Sequence, residues 1–134
     1  MSQFWKNWLD VWCYLVVIFG ALLAGAAFPQ TDAPVHMLFV NLNPNVAVAF
    51  DDTERFAIGL MGALTIGWGL TLFYLIRAAH KYGPPLWQNI TIIAAVWYVI
   101  DGYISYITGF GLNIVSNTIL MAGLFIPIYV GRRR

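Results

Sequence analysis

Apolar residues along this chain gather into four long runs, residues 11–28, 56–76, 86–110 and 112–131, and only the third carries a charge, Asp101. Each run is close to the ~20 residues that cross a bilayer core as a helix. Helices satisfy their backbone polar groups internally, as hydrocarbon requires. The pattern therefore predicts an all-α membrane protein, a four-transmembrane-helix antiparallel bundle forming one transmembrane domain over residues 1–134. Ala24-Gly25-Ala26 could close a signal peptide, but Lys6, Asp10 and three tryptophans at the head of the run argue for an uncleaved first span.

The breaks between runs carry the next signals. Pro29 is expected to end the first helix and to open an outer loop over residues 29–55. Within that loop Thr31 or Asp32 can cap a short helix, with Pro34 in its first turn. Val35, Met37, Leu38, Phe39 and Leu42 would form its apolar surface, until the Asn-Pro-rich stretch 41–45 breaks it. Such a helix is too short to span a bilayer and too apolar to float freely. It is expected to lie on the outer interface or to fold over the bundle as a lid. Residues 80–85 make a short turn between spans two and three, and Gly109-Phe110-Gly111 makes a tight antiparallel hairpin of spans three and four.

Charge adds an orientation. Lys6, Arg77, Lys81, Arg132, Arg133 and Arg134 fall in regions that four spans place on one side, whereas Arg55 is the base of the other. An excess of Lys and Arg marks the cytoplasmic face, so both termini are expected there. The composition, 60% hydrophobic and 10% charged, is far from the roughly 25% charge of soluble domains. A single cysteine, Cys13, excludes an intramolecular disulfide or a thiolate zinc cluster. Trp5, Trp8 and Trp12 recur at helical spacing, which reads as an aromatic belt at the headgroups or as a docking face.

Small residues mark where helices touch. Gly59, Ala63, Gly67 and Thr71 recur every four residues on span two, where Gly62 and Gly69 widen the stripe, and Gly20 and Ala24 do so on span one, helped by Ala21 and Gly25. Such stripes let backbones approach where lipid supplies no hydrophobic drive. They predict packing of spans one and two within the chain, with self-association through span two as the alternative.

Asp101 is the residue that calls for an explanation, because a carboxylate in a membrane helix is costly unless it finds water or a partner. Arg55, in line with the small-residue stripe, is its expected ion-pair partner. Trp97, Asp101, Ser105 and Thr108 share one face of span three, and Asn113, Ser116 and Asn117 share one of span four. Arg55, Asp101, Ser105, Asn113 and Asn117 are thus expected to converge beneath the outer loop. Two readings follow: a hydrogen-bonded knot that locks the hairpin, or a ligand, lipid-headgroup or proton site. Trp68 and Trp97 lie near mid-membrane and are either core or the walls of a hydrophobic pocket for a lipid, quinone or pigment. No metal site is predicted, since His36 and His80 are assigned to opposite sides. The arginine-rich end is too short for nucleic-acid binding and reads as an anchor on anionic lipid.

Two stretches, Glu54 to Gly69 and Trp97-Tyr98-Val99-Ile100-Asp101-Gly102 through Asn113 to Thr118, carry a resemblance in overall pattern. The chain resembles a group of small four-span bacterial membrane proteins lacking an assigned activity. That resemblance implies a bacterial inner membrane and a four-helix arrangement, and gives no substrate or catalytic residue. The expected function is a non-enzymatic accessory, assembly or stabilising subunit of a larger inner-membrane, energy-transducing complex, in contact with lipids and with other subunits or a second copy. The alternative is a self-contained protein that binds or transports a lipid or small hydrophobe, or an isomerase-like enzyme, using the outer pocket around Asp101.

Overall fold

The computed structural model describes residues 1–45 and 49–132, without the side chain of Arg132; residues 46–48 of the expected outer loop, and the terminal arginines Arg133 and Arg134 expected to anchor on lipid, lie outside the described residues. The described residues form five α-helices and no strand: α1 (Gln3–Gly25), α2 (Ala33–Leu42), α3 (Asp52–Tyr82), α4 (Pro84–Ile107) and α5 (Gly111–Arg132). All but α2 are long and apolar enough to cross a membrane. This is the all-α, four-transmembrane-helix class that the hydrophobic pattern predicts.

The helix boundaries depart from the apolar runs, and both ends of α1 and the start of α3 do so for local reasons. Helix α1 begins at Gln3, well ahead of the apolar run, because the tryptophan row is itself helical. It ends at Gly25 rather than at Pro29, where the Thr31 hydroxyl donates to the Gly25 carbonyl at 2.6 Å. Helix α3 is 31 residues long, more than a span needs. Its start is fixed by a reciprocal cap: Glu54 N–H donates to Asp51 Oδ1 at 2.7 Å, and Asp51 N–H to Glu54 Oε2 at 2.8 Å. Two otherwise unpaired amides are satisfied at once, and Asp52 and Glu54 complement the positive end of the helix dipole.

The chain divides into two compact units, residues 14–70 and residues 1–13 with 71–134. In the first, α1 and α3 approach to backbone contact. A Cβ placed on Gly20 would lie 2.7 Å from the Ile66 nitrogen, and one on Gly62 would lie 2.6 Å from the Gly20 carbonyl oxygen. Gly69 extends the contact onto Val16 and Val17, and Gly59 onto Ala27. Helix α2 closes the end of this unit. Val35 is fully buried with Leu23, Ala26, Phe50 and Ile58, and Leu38 and Phe39 pack against them. Met37 turns outward at 67% exposure, because its position is off that face.

In the second unit α4 and α5 form a hairpin. Its turn is a Schellman motif: Phe110 N–H donates to the Ser105 carbonyl at 2.8 Å and Gly109 N–H to that of Tyr106 at 3.3 Å. Gly109 takes φ +82°, a conformation in which a Cβ is strained. The first segment of α1 packs on α5. Trp12 is buried, Trp5 lies against Gly131, and Leu9, Leu124 and Ile128 are fully buried. The tryptophan row is thus an internal packing face as well as an aromatic end to the span.

Candidate functional site

The hairpin turn sets the register of α4 against α5, and with it the position of every group around Asp101. Helix α5 starts immediately after the turn, with Asn113 N–H donating to the Phe110 carbonyl at 2.8 Å. Asn113 and Asn117 are therefore one turn apart on the same face, opposite Ser105 and Asp101 on α4. The Asn113 amide donates to Asp101 Oδ2 at 3.2 Å and to the Ser105 hydroxyl at 2.9 Å. The Asn117 amide donates to the same Asp101 oxygen. Ser105 and Asn117 are buried, whereas Asp101 and Asn113 are half-buried. Close by on the same two helices, the Tyr98 and Thr118 hydroxyls hydrogen-bond at 2.7 Å.

This arrangement brings together four of the five residues expected to converge: Asp101, Ser105, Asn113 and Asn117. The remaining one, Arg55, has a different acidic partner. Its guanidinium is 2.7 Å from Asp32 Oδ2 and also donates to the Ala26 carbonyl at 3.4 Å. Asp32 precedes α2, so the pair ties the start of α2 to the start of α3 and to the end of α1. The expected ion pair of Arg55 with Asp101 is replaced by this shorter connection, which the reciprocal cap at Asp51 and Glu54 favours by fixing the first turn of α3. Asp32 makes no side-chain cap to its own helix because its carboxylate faces Arg55. Within its own unit Asp101 is held by polar neutral groups, the amides of Asn113 and Asn117 and the hydroxyl of Ser105.

The remaining expected positions are placed as follows. Thr108 and Ser116 bond to carbonyls of their own helices rather than to Asp101. Trp68 and Trp97 are each half-buried, on α3 in one unit and α4 in the other. A shallow hollow of about 510 Å³ lies elsewhere, lined by Asp32, Ala33, His36, Met37, Val40 and Ala49. The small residues of α3 separate into two rows. Gly59 meets Ala27 just beyond α1, and Gly62 and Gly69 meet α1 at Gly20 and Ala24 and at the two valines. Ala63 and Gly67 face outward, and a Cβ on Gly67 would meet no atom within 4 Å. The packing row therefore runs through Gly59 and the two glycines that widen the stripe, Gly62 and Gly69, rather than along the four-residue repeat through Ala63 and Gly67. The described residues contain no group of three His, Cys, Asp or Glu side chains able to hold a metal ion.

One polar arrangement escapes the sequence reading altogether. Trp8 Nε1 donates to the Gly123 carbonyl at 2.8 Å, and Trp12 Nε1 to that of Leu120 at 3.0 Å. Pro127 sits inside α5, four residues after Gly123. Proline has no N–H, so the Gly123 carbonyl loses its intrahelical donor. The Trp8 indole supplies one in its place. The signal was present in the spacing Gly123–Pro127 and in the tryptophan row, but neither names the other.

No protein-family model, curated protein or solved structure matches this chain.

Proposed function

We propose that this chain is a non-enzymatic accessory subunit that stabilises or assembles a larger membrane complex. The observation that carries this reading is the division of α3 into two small-residue rows. One row builds the chain itself. The other presents Ala63 and Gly67 outward, where lipid has no need of a glycine and a helix interior loses roughly 1 kcal/mol for each one relative to alanine. Outward-facing small residues suit the close approach of another transmembrane helix. The strongly polar side chains support the same reading, since Arg55, Asp101, Asn113, Asn117, Trp8 and Trp12 all fasten one segment of this chain to another.

The asymmetry of Lys and Arg supports a bacterial inner-membrane setting with both termini cytoplasmic, α2 and the Asp32–Arg55 pair being on the outer side. An energy-transducing complex is the class of partner proposed.

The test is purification of the tagged chain from its native membranes in mild detergent, followed by native-mass sizing and identification of every component. Stoichiometric recovery with defined subunits of one membrane complex is expected. A lone monomer, or a homodimer, carrying a defined lipid, quinone or pigment would overturn the accessory role and favour a self-contained hydrophobe-binding protein.

A further inference from the structure

We propose that Lys6 and Lys81 together hold the phosphate of one anionic phospholipid, at the membrane face on which α1 begins and α3 ends. This site is independent of the accessory-subunit reading. Both lysines belong to the unit formed by residues 1–13 and 71–134. Asp10 of α1 lies 3.7 Å from Arg77 of α3. Lys6, one turn nearer the start of α1, is close enough to His80 for its charge, like that of Asp10, to bear on the ring. The two helices are therefore antiparallel here. Lys81 is four residues after Arg77, on the same side of α3. The register that joins Asp10 to Arg77 thus sets Lys6 beside Lys81, cation facing cation. His80 holds this register through the Met1 thioether at 3.3 Å, the Ile76 backbone and the Trp87 ring at 4.9 Å.

Helix dipoles explain only half of the pair. The negative end of α3 favours Lys81 in its last turn, whereas Lys6 stands in the first turn of α1, where the dipole disfavours a cation. The carboxylates of the chain are placed elsewhere. Asp10 is engaged by Arg77, and Asp101 is about 26 Å of rise from the start of α4. Asp52 and Glu54 stand in the first turn of α3, and Lys81 is about 40 Å further along that helix. Asp32 and Asp51 are tied to the same first turn through Arg55 and Glu54. Phe4 and Trp8, in the turns around Lys6, and Tyr82, next to Lys81, are all exposed. Exposed tryptophan and tyrosine at the end of a span mark the headgroup level. The Lys81 ammonium itself stands 5.1 Å from the centre of the Tyr82 ring. Basic pockets between membrane helices at this level recognise anionic headgroups, and each ammonium offers three donors to phosphate oxygens.

The experiment strips the full-length protein of lipid in mild detergent. It is then titrated with phosphatidylglycerol, with phosphatidylcholine of the same acyl chains, and with inorganic phosphate. Native mass spectrometry counts the bound lipid, and the melting temperature follows its effect. One phosphatidylglycerol per chain is expected, bound at least tenfold tighter than phosphatidylcholine. Lys6→Gln and Lys81→Gln should each weaken it at least tenfold, and the double variant little more, because one shared phosphate couples the two. Lys6→Arg and Lys81→Arg should retain it. Both lysines are exposed, so the lipid-free variants are expected to melt as the wild type does. Where one melts lower, the rise that lipid causes above its own baseline makes the same comparison. Equal binding of the two lipids, or small additive losses without a stoichiometric lipid, overturns the inference in favour of diffuse surface charge. Inorganic phosphate that displaces the lipid at matching concentration overturns a phospholipid as the occupant.

Discussion

At the scale of single residues, this protein lowers the cost of polar groups in a membrane by turning hydroxyls back onto their own helices and giving its tryptophan indoles, Asp101 and Arg55 partners from another segment. The indole of Trp8 and the carbonyl of Gly123 show the logic, because Pro127 creates the vacancy that Trp8 fills. Interhelical hydrogen bonds in membranes contribute on average about 0.6 kcal/mol and at most about 1.7. Trp8→Phe is therefore expected to lower stability by about 1 kcal/mol in a detergent unfolding titration. Pro127→Ala restores an intrahelical donor to Gly123, so the Trp8→Phe loss should shrink in that background. Equal losses in both backgrounds would show that Trp8 acts by packing alone. The Asp32–Arg55 pair obeys a similar rule. Both side chains are mostly buried, at 20% and 16% exposure, so leaving either one alone is costly. Asp32→Asn and Arg55→Met should each cost about 2 kcal/mol, and the double variant little more than either single one. Additive losses, read as unfolding midpoints, would contradict the pairing.

At the scale of elements, the sequence shows most of what later positions the site. Four apolar runs of membrane length, a short helix with Pro34 in its first turn and a hairpin at Gly109 follow from periodicity and turn chemistry, and the structure has them all, although the expected side-chain cap at Asp32 is not made. The hairpin also makes Asp101, Ser105, Asn113 and Asn117 legible, since helical spacing on two helices joined by a three-residue turn leaves few registers. What the sequence could not show is the choice among long-range partners. Arg55 has acidic candidates in Asp32 and Asp101, and the decision depends on where α2 folds back, which a hydrophobic pattern does not encode. The glycine rows of α3 are ambiguous for a related reason. Gly59 belongs to the four-residue series Gly59–Ala63–Gly67 and to the series Gly59–Gly62–Gly69, and only the approach of Gly20 selects the second. Residue spacing gives faces, while the neighbour decides which face is used.

At the scale of the whole molecule, the proposed orientation, with both termini cytoplasmic and α2 outside, is open to a direct test. Cys13 is buried, so single cysteines introduced at the exposed positions Ser2 and Gln30 can be tested with a membrane-impermeant thiol reagent on intact cells. Labelling at position 30 and protection at position 2 are expected, and the reverse pattern would invert the topology. The central claim is that α3 has one small-residue face for its own chain and another for a partner. It is tested most directly by comparing Gly62→Leu with Gly67→Leu in full-length protein from native membranes, measuring native mass and melting temperature together. Gly62→Leu should unfold or melt far below the wild type, because a side chain there collides with the backbone of Ala24 and Gly20. Gly67→Leu should melt as the wild type does yet migrate without its complex. If Gly67→Leu keeps the full native mass, the outward face of α3 is a lipid face and the proposed assembly contact is wrong.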